Sequence, residues 1–209
     1  ALRSRAPDLT VAAITTDPAG QFAPGGEVEV SWTVRNAGEA AVAGAWSQAL
    51  RVVNRVTGAV IATRTLAFDT AVNAADAIAA GGTSARSARV TWPSDQLADG
   101  DFLFEVTVDT TGAIAESNDT DTAEANNVGQ ASVVSAPDLI ASGIAVAGAV
   151  ESSASITVTW VVRNTGVMPV RALTGDLFLL QNLSTGETLR QLQVAYTAAE
   201  LDALGAGGE

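Results

Sequence analysis

The chain has no cysteine, no histidine and no lysine among its 209 residues. Each absence removes a chemistry. Without cysteine there is no disulfide, no thiolate metal site and no cysteine nucleophile. Without histidine there is no imidazole base, no Ser-His-Asp triad and no histidine-bound zinc. Without lysine there is no Schiff base and no Walker-type phosphate loop. Gly205-Ala206-Gly207-Gly208 therefore reads as a turn. Aromatic residues make up only 5% of the chain, too few for a broad sugar-stacking surface. No apolar run approaches membrane-spanning length. No charged-then-apolar leader opens the chain, so export would be directed by a segment outside it.

What remains is acidic. Net charge is −12, and all 11 basic residues are arginine. Such a chain repels nucleic acid and anionic lipid, and neither is expected as a partner. It attracts divalent cations. Carboxylates and hydroxyls are the only catalytic groups left, so a two-carboxylate hydrolase is the one open enzymatic route, with Glu116 and Asp109 as its pair. Nothing in their spacing positions a substrate, and no enzyme is expected.

The chain also repeats itself. Ala6-Pro7-Asp8-Leu9 returns as Ala136-Pro137-Asp138-Leu139, and Trp32-Thr33-Val34-Arg35-Asn36-Ala37-Gly38 returns as Trp160-Val161-Val162-Arg163-Asn164-Thr165-Gly166. A spacing this long is a whole domain rather than a solenoid unit. Within each copy the apolar residues alternate. Val28, Val30, Trp32 and Val34 share one face, as do Ile156, Val158, Trp160 and Val162, and as do Phe102, Phe104, Val106 and Val108. Period two means strands with one buried face. Pro24-Gly25-Gly26, Thr57-Gly58, Gly81-Gly82 and Thr185-Gly186 supply the turns between them.

The pattern predicts strands near 8–15, 28–36, 46–55, 59–68, 84–92, 101–109 and 128–135, and in the second copy near 138–146, 155–164, 175–182 and 187–196. The Ala-rich stretches Thr70 to Ala80 and Thr197 to Leu204 are expected to be short helical excursions. The fold class is all-β: tandem immunoglobulin-like antiparallel β-sandwiches, the second incomplete, with domains at 1–135 and 136–209. Gly207-Gly208-Glu209 aligns with Gly81-Gly82-Thr83, and counterparts of 84–135 are absent. They are expected to lie in the parent sequence; the alternative is that another chain supplies them by strand pairing. Pro137 holds the junction extended, which suits a stalk better than a hinge.

The opening Ala-Pro-Asp-Leu, the strand ending Trp-x-Val-Arg-Asn-x-Gly, and Asp99-Gly100-Asp101-Phe102 leading into a Val-x-Val-Asp strand resemble the CARDB family, the cell-adhesion-related domain found in bacteria. Most specific is the tail from Val108-Asp109 through Ala115-Glu116-Ser117-Asn118 to Asn126-Asn127-Val128. The resemblance covers nearly all of 6–135 and the first half of the second copy. The longer middle at 69–83 and the acidic stretch at 119–125 depart from it. It implies an immunoglobulin-like sandwich in extracellular or cell-surface proteins, often in tandem, acting as spacer or adhesion-associated module, with no shared catalytic residues.

Asp109, Glu116, Asn118, Asp119, Asp121, Glu124, Asn126 and Asn127 crowd one segment. Calcium takes six to eight hard oxygens, and Asp109, Glu116, Asn118, Asp119 and Asp121 are the ligand set this segment offers. The spacing is not an EF-hand, since it lacks that loop's glycine and third ligand; the competing reading, a solvated loop of Asx turns, is favoured because the sequence fixes neither ligand count nor geometry. Asn36 and Asn164 read as turn residues, Trp32 and Trp160 as core anchors, and Trp92 as packing the core edge. Asn118-Asp119-Thr120 and Asn182-Leu183-Ser184 match a glycosylation acceptor at chance level. The expected function is a non-catalytic repeat module whose partners are neighbouring repeats of the same chain. The alternative is an accessory carbohydrate- or polymer-binding module of a secreted enzyme.

Overall fold

A computed structural model describes residues 5–20, 22–148, 155–171 and 175–208; Glu209, aligned above with Thr83, lies outside them. The chain divides into two compact units, Ala1–Ser135 and Ala136–Glu209.

Unit 1 has seven strands: β1 (Leu9–Asp17), β2 (Glu27–Asn36), β3 (Ala45–Asn54), β4 (Val60–Asp69), β5 (Thr83–Thr91), β6 (Gly100–Val108) and β7 (Val128–Ser135). They form a sheet of order β1-β2-β5 and a sheet of order β4-β3-β6-β7. All pairings are antiparallel. The all-β, immunoglobulin-like fold follows from the alternation. Val28, Val30, Trp32 and Val34 of β2 are buried, and so are Trp46, Gln48, Leu50 and Val52 of β3 and Phe102, Phe104, Val106 and Val108 of β6. The two inner faces meet where the Trp32 indole N–H donates to Gln48 Oε1 at 2.7 Å. Trp92, one residue beyond β5, lies 4.4 Å from Phe22 and 4.5 Å from Phe102 between ring centroids, so it packs the core edge as expected. A buried aromatic of this size contributes about 2–3 kcal/mol of burial alone.

The stretch Thr70 to Ala80 is not a helix beyond one 3-10 turn at Ala74–Asp76. Asn73 accepts the Ala75 N–H and Ala77 returns to extended backbone (φ −69°, ψ 138°), so helix-forming alanines are overridden by a short connection between two strands.

Unit 2 has β8 (Leu139–Ala147), β9 (Thr157–Asn164), β10 (Asp176–Gln181), β11 (Thr188–Val194) and α1 (Ala198–Ala203). Here the helical expectation meets a capping box: Thr197 accepts from Glu200 N–H and Glu200 reaches back to the Thr197 N–H. Among the described residues, only β8-β9 and β10-β11 pair. The same local bonds occur in both units. Asn36 Oδ1 accepts the N–H of Asp8 and Gly38, and its amide donates to the carbonyls of Ala40, Ile78 and Ala79. Asn164 makes the same five bonds with Asp138, Gly166, Met168, Leu204 and Gly205. Glycine is required beside each: a Cβ on Gly38 would strike the Ala6 carbonyl, and one on Gly166 the Asp138 amide. The paired asparagines are thus structural hubs.

The interiors differ. Trp32 is 1% exposed, whereas Trp160 is half-buried and lines a cavity of about 420 Å³ with Val158, Val162, Asp176 and Tyr196. Leu192 and Val194, on the same side of β11, are 47% and 37% exposed. Trp160 is therefore a core anchor only in part. Among the described residues of unit 2, no strand pairs beside β9 as β5 pairs beside β2, and none extends the facing sheet as β6 and β7 do in unit 1.

Candidate functional site

The strand β6 ends at Val108, and the chain then turns sharply. Asp109 takes a left-handed backbone (φ 43°), which short polar side chains tolerate best. Its carboxylate accepts the N–H of Ala113 at 3.0 Å and of Ile114 at 2.8 Å, fixing the loop that follows. That loop is tied to the start of β1: Ser117 N–H donates to the Pro7 carbonyl, and Glu116 accepts the Leu9 N–H. Asn127 donates to Glu116 Oε1 at 2.9 Å, and the Glu116 N–H donates to Glu124. Asn118 and Asn126 donate to Asp8 Oδ1 at 3.4 and 2.9 Å.

These bonds gather three carboxylates. Oxygens of Asp109, Glu116 and Glu124 all lie within 4.8 Å of one another. Two oxygens on opposite sides of a calcium ion are about 4.6–5.2 Å apart, so one ion can span this group. Asp109 is buried, Glu116 half-buried and Glu124 exposed. Burial, aided by the charges of Glu124 and Asp109, pushes the Glu116 carboxyl up to about 7, against the pull of its hydrogen bonds from Leu9 and Asn127. A half-buried carboxyl facing two others takes up either a proton or a cation near neutral pH.

Of the five residues of the sequence-based ligand set, the structure brings Asp109 and Glu116 together. Asn118 is spent on Asp8, Thr120 and Thr122, accepting the latter two N–H groups in an Asx turn. Asp119 and Asp121 are exposed on that turn, outside the carboxylate group. Glu124 takes their place. It was visible in the same crowded segment, but only the loop's path decides which acids face inward. Asp8 was missed because it is far away in sequence; its signal is the duplicated Ala-Pro-Asp-Leu.

The fold is a β-sandwich module whose acidic loop is braced against its first strand. The sequence model of the CARDB family matches residues 6–130, and the chain belongs to that family. CARDB domains are non-catalytic modules related to adhesion in bacteria. Among solved structures, the chain is similar to the CARDB domain of the PF1109 protein from Pyrococcus furiosus in complex with di-metal ions: 22% identity over 64% of this chain and 92% of that one, TM-score 0.41. A solution structure of that domain gives 20% identity over 64% and 98%, TM-score 0.41. A cycloisomaltooligosaccharide glucanotransferase from Paenibacillus sp. is 19% identical over 62% of this chain and 14% of that one, TM-score 0.41. No curated protein matches.

Proposed function

We propose that the chain is a passive structural module of an extracellular or cell-surface protein, a tandem of CARDB-type sandwiches that spaces or projects another domain. One observation carries the reading: the five-bond asparagine hub and its glycine recur residue for residue in both units, which is how a string of like modules is built. Asp109 supports the non-catalytic part, since both its oxygens are engaged by backbone N–H groups and it serves as a brace. Pro137 supports a stiff junction. Small-angle scattering tests the spacer role: a narrow distribution of sizes is expected, and a broad one from independently tumbling units refutes it.

The open interior of unit 2 is closed, in this reading, by three strands equivalent to β5, β6 and β7, supplied by further polypeptide of the same chain or of a partner. Calcium at Asp109, Glu116 and Glu124 would stiffen the acidic loop of unit 1 without taking part in any reaction. The rival reading, a carbohydrate- or polymer-binding module, draws on the half-buried Trp160 and Tyr196, which line the unit 2 cavity, and on the half-buried Phe178, which stacks on Trp160. It ranks second because the other seven aromatic residues are buried. Binding on a glycan array that is lost in Trp160→Ala would reverse the order.

A further inference from the structure

The cavity of unit 2 has the wall of a site for a positive charge. Five consecutive residues of β9, from Val158 to Val162, border it. Successive residues of a strand face opposite sides, so a cavity that touches all five runs along the strand's edge. That edge carries no partner strand among the described residues. Asp176, Tyr196 and Glu200 join Trp160 in the wall, and none of the described residues that line it is basic. Asp176 accepts the Trp160 indole N–H at 2.6 Å on one oxygen and the Tyr196 hydroxyl at 2.7 Å on the other. A carboxylate oxygen accepts two bonds, so both keep capacity for a cation. Burial, the hydrogen bond to Asp176 and the charges of Asp176 and Glu200 push the Tyr196 hydroxyl up to about 12. Two negative charges therefore act on one aromatic pocket.

Unit 1 shows what meets such a wall. Trp32 and Trp160 each bind the residue 16 positions on, Gln48 and Asp176. Gln48 pairs with Leu66, two residues before Phe68; Asp176 pairs with Val194, two residues before Tyr196. Tyr196 is thus the counterpart of Phe68. Glu200 is the third residue of α1, as Asp76 is of the 3-10 turn. In unit 1 the remaining member comes from β5. Its register on β2 sets Arg86 opposite Trp32, and the Arg86 guanidinium lies 4.4 Å over the Phe68 ring, acted on by the charge of Asp76. Where β5 begins, the Asn36 N–H donates to the Gly82 carbonyl; the Asn164 N–H donates in the same way to Gly208. Carried along β9, this register puts the fourth residue of an added strand opposite Trp160.

The two units differ in charge. Where unit 1 has the neutral Gln48, unit 2 has the half-buried carboxylate of Asp176. A cation over the aromatic ring answers that charge, whereas a neutral or acidic side chain leaves it uncompensated.

We propose that the free edge of β9 takes up an arginine-bearing strand, its guanidinium seated over the Tyr196 ring with Asp176 and Glu200 as counter-charges, an inference that rests on the closure of unit 2 by added strands. The test appends a copy of residues 83–135 after Gly208 of the full chain, so that the grafted copy of Arg86 falls opposite Trp160. Amide exchange along β9 then reads unit 2 alone, and β9 should be protected as well as β2. Arg86→Met in the grafted copy only should speed that exchange about tenfold. The gap between the two grafts should narrow in Asp176→Asn and in Glu200→Gln; the latter still caps α1, so the helix is kept. Equal exchange with arginine and with methionine overturns the proposal, as does a gap that survives both acid variants. Fast exchange of β9 in every graft, with a hydrophobic dye still bound, overturns the closure by added strands and the arginine with it.

Discussion

Asn36 spends its whole side chain on five backbone groups drawn from three separate segments. Truncation strands several of them at once. Asn36→Ala is expected to cost about 3 kcal/mol, read as a lower urea midpoint at unchanged slope. Asn36→Asp should recover little, because a carboxylate cannot donate to the three carbonyls. Glu116 carries the pH dependence. Its carboxyl is raised from 4.5 to about 7 in the folded protein, so the native state holds a proton there that the unfolded chain releases earlier. The stability this proton gives is whole below about 4.5 and is lost as pH rises through 7. Glu116→Gln should flatten the slope of stability between those values. Calcium competes with the same proton, so its stabilising effect over a chelator should grow from pH 6 to pH 8. A melting transition indifferent to calcium at pH 8 removes the metal.

At the scale of the element, the open strand edges matter most. In unit 1, β2 pairs on both sides with β1 and β5, and β3 pairs on both sides with β4 and β6. Among the described residues of unit 2, β9 pairs only with β8 and β10 only with β11. The amides along the free side of β9 and β10 are expected to exchange with solvent deuterium far faster than their counterparts in β2 and β3. Equal protection in both units would mean that the free edges are already covered. The two helical stretches make a second contrast. Both are rich in alanine, but only Thr197 stands three residues before a glutamate and builds a reciprocal cap, and only there does a six-residue α-helix form.

For the molecule as a whole, the two units should unfold differently. Unit 1 buries three aromatic rings, Phe22, Phe102 and Phe104, around Trp92 and closes both its sheets over them, so residues 5–135 alone should melt in one cooperative step. Unit 2 leaves Trp160, Leu192 and Val194 open to solvent. The full chain should bind a hydrophobic dye that residues 5–135 do not bind, and grafting the 83–135 segment after Gly208 should suppress it. Dye binding of equal strength by both chains would place the exposed apolar surface in unit 1 instead.

The sequence by itself determined the strands, their inward faces, the turns and the pairing of Asn36 with Asn164, because period two and turn chemistry are local properties written into neighbouring residues. It also excluded whole chemistries through the residues it lacks. Only the tertiary structure decided which acids meet, since Asp109, Glu116 and Glu124 converge through a loop whose path depends on bonds to Pro7 and Leu9. Only the packing of one sheet on another brings Arg86 over Phe68. Contacts between segments far apart in the chain have no local signature, and those contacts make the carboxylate site.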